Sequence, residues 1–360
     1  MTKNLAPAFA LSVIVWATSG QAQTNAPAAQ RPVPAAQVRL ITLGTRAGQT
    51  PAPYRAQTSY ALMVGKDIYL IDVGDGALRR IAEAGLTIRN IAGIFITHLH
   101  DDHTSGLPAL MSVEWEFHRE QIVGIYGPPQ TAALVQAALA FTKFNADTRI
   151  SDGTMTHPIA ELYAGHDVQP GQVFRDANIS VSAVENSHYE KPLAGKPDYK
   201  TQSYSYRVTT PAGVIVFTGD TGPSDAVTQL ARGADILLTE ITDVDKIIAL
   251  RKADGSWDTW TPSQRTSLVS HVKNEHLAAD VVATMAKTAG VGSLVLSHFP
   301  PDLNPKDDYR WIGVNVKKAG YTGPVFVSQD LMEYDLIPQA GKRPAVMERN
   351  TLRNNWLGKK

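Results

Sequence analysis

From Val38 the chain runs through short apolar stretches closed by glycine. "VRLITLG", "SYALMVG" and "DIYLIDVG" predict three strands over 38–44, 59–65 and 67–74. "ALRRIAEAG" spaces its apolar residues three and four apart and predicts a helix, after which "IAGIFITH" reads as a strand again. The pattern continues as "QIVGIYG", a helix over 128–143, "NISVSAVENSH", "YSYRVTT", "GVIVFTGD", "ADILLTE", a helix over 276–289 and "GSLVLSHF". Hairpins dominate the early part and strand–helix units the later part. That mixture predicts an α/β sandwich, with helices on the outer faces of packed sheets, rather than one doubly wound sheet.

Polar residues fall at regular places in this pattern. Asp72 ends "IYLID", His98 follows "IFIT", His188 follows "VSAVENS", Asp220 follows "VIVFTG", Glu240 follows "ILLT" and His298 follows "LVLS". Strand ends on one sheet edge converge, and rigid strands hold the residues there in place. The six can therefore share one site.

The densest of these places is "FITHLHDDH", residues 95–103, where three of the chain's ten histidines stand beside two aspartates. In an extended segment alternate side chains share a face, so His98 and His100 point together with Asp102 continuing the row. His103 needs a turn, which "TSG" supplies before a helix starting near Leu107. Paired imidazoles beside a carboxylate suit a pair of divalent cations, whereas a merely solvated loop gives no reason for such crowding. With no cysteine in the chain, any metal site must be built from His and carboxylate. His118, His157, His166 and His271 lie in no such context and receive no role.

The N-terminus adds an address. Lys3 precedes an apolar stretch from Leu5 to Trp16, and Gly20 and Ala22 have signal-peptidase spacing, so residues 1–22 read as an export signal cleaved after Ala22. The stretch is short for a permanent membrane anchor. The expected product is periplasmic or secreted, with a flexible linker over 23–37, one hydrolase domain over 38–336 and a tail over 337–360 that is either solvated or a packing extension. A composition 43% hydrophobic and 19% charged is ordinary for a globular protein. Losing Lys3 with the signal takes the formal net charge from 0 to −1, which offers no global attraction to nucleic acid.

"THLHDDH" resembles the H-x-H-x-D-H signature of the metallo-β-lactamase superfamily, and the other strand-end residues follow that superfamily's order from about Val38 to Leu336. The resemblance implies a four-layer αββα sandwich. It implies one metal on His98, His100 and His188, a second on Asp102, His103 and His298, Asp220 shared by both, and Asp72 orienting the site. "ILLTEIT" followed by "NEHLAADVVATMAKTAGVGSLVLSHF" is similar to the branch containing ribonuclease Z and arylsulfatase-like hydrolases. There Glu240 would hold His276, which would protonate the leaving oxygen. Zinc is the first choice of metal, Mn2+ or Fe2+ the alternatives, and Asp102, Glu240 and His276 are the catalytic candidates.

Only 31 residues separate His188 from Asp220, where bacterial ribonuclease Z proteins carry a long arm that grips tRNA. With export and neutral charge, this leads to an expected small-molecule ester substrate, a phosphodiester or aryl sulfate, and to no nucleic-acid partner. The aromatic stretches Trp115 to Phe117, Tyr189 to Tyr199 and Trp257 to Trp260 are candidate walls for it. A β-lactam or lactone hydrolase and a non-catalytic metal-binding scaffold are the alternatives, and an oligomer is compatible with all three.

Overall fold

Alternation of side chains along the strands sorts the apolar residues into three layers of core. In the computed structural model, residues 37–48, 52–189, 202–300 and 308–349 are described. Of the signal and linker expected over 1–37, residues 1–36 lie outside the described residues. The described part belongs to one compact unit, Ala35–Lys360.

The first sheet has eight strands in the order β15, β14, β1, β2, β3, β4, β5, β6. They are β1 (Val38–Gly44), β2 (Ser59–Val64), β3 (Asp67–Val73), β4 (Ile91–Phe95), β5 (Val123–Gly127), β6 (Tyr163–Asp167), β14 (Met332–Gln339) and β15 (Lys342–Arg349). The second has seven in the order β13, β12, β11, β10, β9, β8, β7. These are β7 (Gly171–Arg175), β8 (Ser180–Glu185), β9 (Tyr204–Thr210), β10 (Gly213–Phe217), β11 (Ile236–Glu240), β12 (Ser293–Ser297) and β13 (Val325–Val327). Hairpins join β1 to β2 and β2 to β3, and from β3 to β6 the pairing is parallel, as it is from β10 to β13.

In β3, Tyr69 and Ile71 face the second sheet while Ile68 and Leu70 face helices. In β11, Ile236 and Leu238 meet the first sheet and Leu237 meets helices on the far side. The outer helices on the first sheet are α1 (Ala77–Glu83), α3 (Leu107–Glu116) and α4 (Thr131–Ser151). On the second they are α5 (Asp225–Leu230), α9 (Ala279–Ala289) and α10 (Arg310–Lys318). The expected αββα sandwich is therefore the observed one.

Some local expectations are corrected. The helix placed at 128–143 begins at Thr131 and continues to Ser151, because nothing in "NADTRI" breaks it before Gly153. The helix placed at 276–289 starts at Ala279, leaving His276 in the loop ahead of it. Residues 337–349, expected in a tail, pair within the first sheet. This stretch completes β14 and adds β15, and Arg349 reaches back to Asp335 at 2.7 Å. No helix among the described residues is long and apolar enough to cross a membrane.

Candidate metal centre

The six polar strand ends meet where the two sheets present their C-terminal edges, because β3 and β4 are parallel, β10, β11 and β12 are parallel, and β8 runs with β10 through the intervening antiparallel β9. Ligand sites in open α/β sheets form at this edge. After β4 the chain bends at Thr97, reaches His100 in extended backbone and then coils into a short helix, α2 (Asp101–Thr104). Asp102 and His103 thus sit on a helical turn, which corrects the expectation that Asp102 continues the extended row. The turn points both inward, and each is buried. Close approach makes this possible: a Cβ on Gly74 would lie 2.3 Å from the Asp102 carbonyl oxygen.

Two groups of donors result. In the first, His98 Nε2 lies 3.0 Å and His188 Nε2 lies 3.2 Å from His100 Nδ1, so three imidazole nitrogens converge. His188 donates its Nδ1–H to the Glu275 carbonyl oxygen at 3.0 Å, which leaves the Nε2 lone pair facing the group. Burial pushes His98 well below the usual imidazole range, and pushes His188 down to about 3, so both are neutral.

In the second group Asp102, His103, Asp220 and His298 bring their donor atoms within 4.8 Å of one another, all buried. Asp220 lies between the groups: its oxygens are 3.4 Å from His103 Nε2, 3.1 Å from His298 Nε2 and 3.9 Å from His98 Nε2. Gly48 N–H donates to Asp102 at 2.7 Å. Burial would raise both carboxyls, but His103 and His298 outweigh it and hold Asp102 and Asp220 below the usual carboxylate range. Conversely, burial opposes charge on His298 and His103, yet Asp220 and Asp102 prevail, lifting His298 to about 10 and His103 well above its ordinary value.

Asp72 is completely buried and accepts from Thr97 N–H at 2.7 Å, from the Thr97 hydroxyl at 2.8 Å and from His103 Nδ1–H at 2.8 Å. It thereby fixes the tautomer that turns His103 Nε2 toward Asp220. Asp72 and His298 both adopt left-handed backbone, with φ of 58° and 52°. Such conformations cost about 1–3 kcal/mol each and persist where the surroundings demand them.

The donor set fits divalent cations. His103 Nε2 and His298 Nε2 are buried without a hydrogen-bond partner. Buried polar atoms left so are exceptional, and two buried carboxylates in one pocket, Asp102 and Asp220, need compensating charge. A cation taking the place of protons on these imidazoles satisfies both requirements.

Beside this cluster, Glu240 accepts from His276 Nδ1–H at 2.7 Å and from Thr221 N–H at 2.6 Å. Burial raises Glu240, and the Glu240 carboxylate raises His276 against the effect of burial. His276, His100, His188, Asp102, Asp220 and His298 all face a cavity of about 640 Å³. Its far wall belongs to α6 (Val244–Ala253) and α8 (Pro262–Asn274), linked by α7 (Ser256–Thr259).

The structure thus brings together every residue of the expected site. It also adds two that no sequence motif marked, Arg251 and His271, which line the same cavity. The aromatic walls are corrected. Trp115 is fully buried in the core under the first sheet, and its indole N–H donates to the His157 carbonyl at 3.0 Å. Trp257 and Trp260 stack with Arg265 and Arg251 on the helical wall and are not among the residues lining the cavity. Only Tyr189 approaches the centre, 5.0 Å from the His188 ring, and the rest of its stretch, 190–199, lies outside the described residues.

This fold and this constellation define a metal-dependent hydrolase of the metallo-β-lactamase type. The family described as "Beta-lactamase superfamily domain" matches residues 69–299, and the chain belongs to it. Among curated relatives, ribonuclease Z of Mycobacterium bovis (strain BCG / Pasteur 1173P2) is 28% identical over 304 residues, covering 83% of this chain and 99% of the relative. Ribonuclease Z of Mycolicibacterium gilvum is 27% identical over 313 residues, 86% and 99% of the two chains. Among solved structures, the metallo-β-lactamase fold protein YhfI from Bacillus subtilis superposes with a TM-score of 0.58 at 17% identity, covering 83% of this chain and 99% of that one. Human tRNase Z, short form, gives 0.52 at 22% identity, covering 82% and 98%.

These relatives overturn the expected substrate. A hydrolase of small phosphodiesters or aryl sulfates, with lactam or lactone opening or a silent scaffold as alternatives, does not agree with similarity along 99% of the length of these ribonuclease Z relatives, and neither does the exclusion of nucleic acid. The reasoning from charge failed because net charge sums the whole surface, whereas a nucleic acid is gripped locally.

Proposed function

We propose that this protein cleaves RNA phosphodiester bonds at a centre holding two divalent cations, zinc by first choice. The observation that carries the reading is Asp220, whose carboxylate lies within 3.1 to 3.9 Å of imidazole nitrogens from both donor groups. His98, His100 and His188 would hold one ion, Asp102, His103 and His298 the other, and Asp220 both. Bound there, such ions supply an activated water and neutralise charge on phosphate oxygens. The chain itself does the rest. Asp72 keeps His103 in the ligating tautomer, the Glu275 carbonyl does the same for His188, and Glu240 holds His276 facing the cavity, where its Nε2 can deliver a proton to the leaving oxygen. Support for RNA as the substrate comes from the ribonuclease Z relatives, which match along nearly their whole length.

A tRNA precursor with a 3′ extension is the test substrate. The purified protein is expected to cut it, to stop when a chelator removes its metal, and to resume on addition of Zn2+. Removing the metal should also lower the melting temperature, since the cations bind the folded centre alone. Intact RNA in the presence of fully metal-loaded protein would refute the reading.

A further inference from the structure

Between Glu240 and His276 the chain leaves the sandwich to build α6, α7 and α8, in which Val272 is the sole buried residue. Core packing therefore does not account for this excursion. Its inner side nevertheless closes the cavity opposite the donor groups, through Ile247, Arg251, Leu268, His271 and Val272.

Two polar groups on this wall have unspent capacity. Arg251 has a buried Nε with no hydrogen-bond partner, and its Nη1 makes one long bond, 3.5 Å, to Asp254 in the same segment. Its guanidinium lies 5.7 Å over the Trp260 ring, which holds the side chain without using its N–H groups. His271 is paired with Glu275 at 2.7 Å through Nδ1. An ionised carboxylate accepts only, so Nδ1 is the donor, and in the neutral ring Nε2 keeps its lone pair. The ring stands 5.0 Å from His276 and 6.1 Å from His188, beside the reacting centre. Glu275 also ties the wall to the metal cluster, since its backbone carbonyl holds His188.

A guanidinium with free donors, an imidazole with a free acceptor and an apolar strip between them match a ribonucleotide: phosphate, 2′-hydroxyl, and the face of sugar and base. We propose that α6 to α8 form the binding wall for a nucleotide adjoining the scissile bond, with Arg251 taking its phosphate and His271 Nε2 accepting from its 2′-hydroxyl. This rests on the RNA-cleaving reading. It makes Arg251 and His271 specificity-determining residues rather than catalytic ones.

The test compares wild type, Arg251→Met and His271→Phe, all metal-loaded, on a tRNA precursor, on the same precursor with single 2′-deoxy substitutions flanking the cut, and on bis-p-nitrophenyl phosphate. Arg251→Met should raise KM for the precursor about tenfold with kcat within about twofold, and flatten the salt dependence by about one phosphate contact. His271→Phe should lose roughly tenfold in kcat/KM on the precursor, and one 2′-deoxy substitution that slows the wild type by a similar factor should cost this variant no more. Losses on the aryl diester, which offers neither group, should be at least about fivefold smaller. Equal losses on both substrates, a wild-type KM and salt slope for Arg251→Met, or additive effects of His271→Phe and every 2′-deoxy substitution would overturn the proposal. Wild-type protein that hydrolyses the aryl diester and leaves RNA intact would instead refute the RNA reading, and this proposal with it.

Discussion

Replacing Asp220 by Asn is expected to lower kcat/KM on RNA by about 10³-fold or more, about 4 kcal/mol of transition-state stabilisation, and to reduce bound metal. The substitution keeps the size and shape of the side chain and removes its charge. Asp220 is almost completely buried, and its two oxygens divide their attention between His103 on one side and His298 and His98 on the other. An amide there presents one poor ligand and one N–H donor to nitrogens that need acceptors of charge. Asp102 remains to partner His103 and His298, at 3.6 and 3.4 Å, so the second group is weakened rather than dismantled. Metal content by mass spectrometry, kinetics, and circular dichroism to verify the fold would decide the matter. Full occupancy with activity within tenfold of wild type would show that Asp220 does not join the two groups.

The second large effect is expected at His276, and it should depend on the leaving group. Cleavage of RNA expels an alkoxide, which needs a proton in the transition state, whereas p-nitrophenolate leaves without one. A positioned general acid contributes roughly 10²–10⁴-fold where proton transfer is needed. His276→Ala should therefore slow RNA cleavage by about 10²-fold or more and slow bis-p-nitrophenyl phosphate turnover by less than about tenfold. Glu240→Gln should follow the same order with smaller losses, since the one amide oxygen of Gln can still accept from His276 Nδ1–H, whereas the Thr221 N–H loses its acceptor and the protonated ring is no longer favoured. Equal losses of His276→Ala on the two substrates, or loss of metal from that variant, would make His276 a structural residue or a ligand instead.

The layers of the fold and the centre of the site were legible because each rests on a local rule. Period-two alternation in "DIYLIDVG" and "GVIVFTGD" places one set of side chains between the sheets and the other under helices, whatever the rest of the chain does. Residues at strand ends are carried along by that register, so Asp72, Asp220, Glu240 and His298 could be located from the strands alone. What escaped depends on tertiary placement. Arg251 and His271 lie on helices with no marked apolar stripe, and only the path of α6 to α8 across the cavity gives them a neighbourhood. Asp102 was expected on an extended row because alternation says nothing of where a strand stops; the helical turn at 101 turns it inward. Trp115 looked like a substrate wall because aromatic residues serve cores and pockets alike. The substrate was misjudged from global charge and the length of one segment, neither of which describes the surface at the cavity.

The most direct test of the account is a crystal of the protein grown with Zn2+ and measured at the zinc absorption edge. Two anomalous peaks are expected, one among His98, His100 and His188 and one among Asp102, His103 and His298, with the Asp220 carboxylate adjoining both. A single peak under saturating zinc, or peaks that leave Asp220 without a metal neighbour, would contradict it.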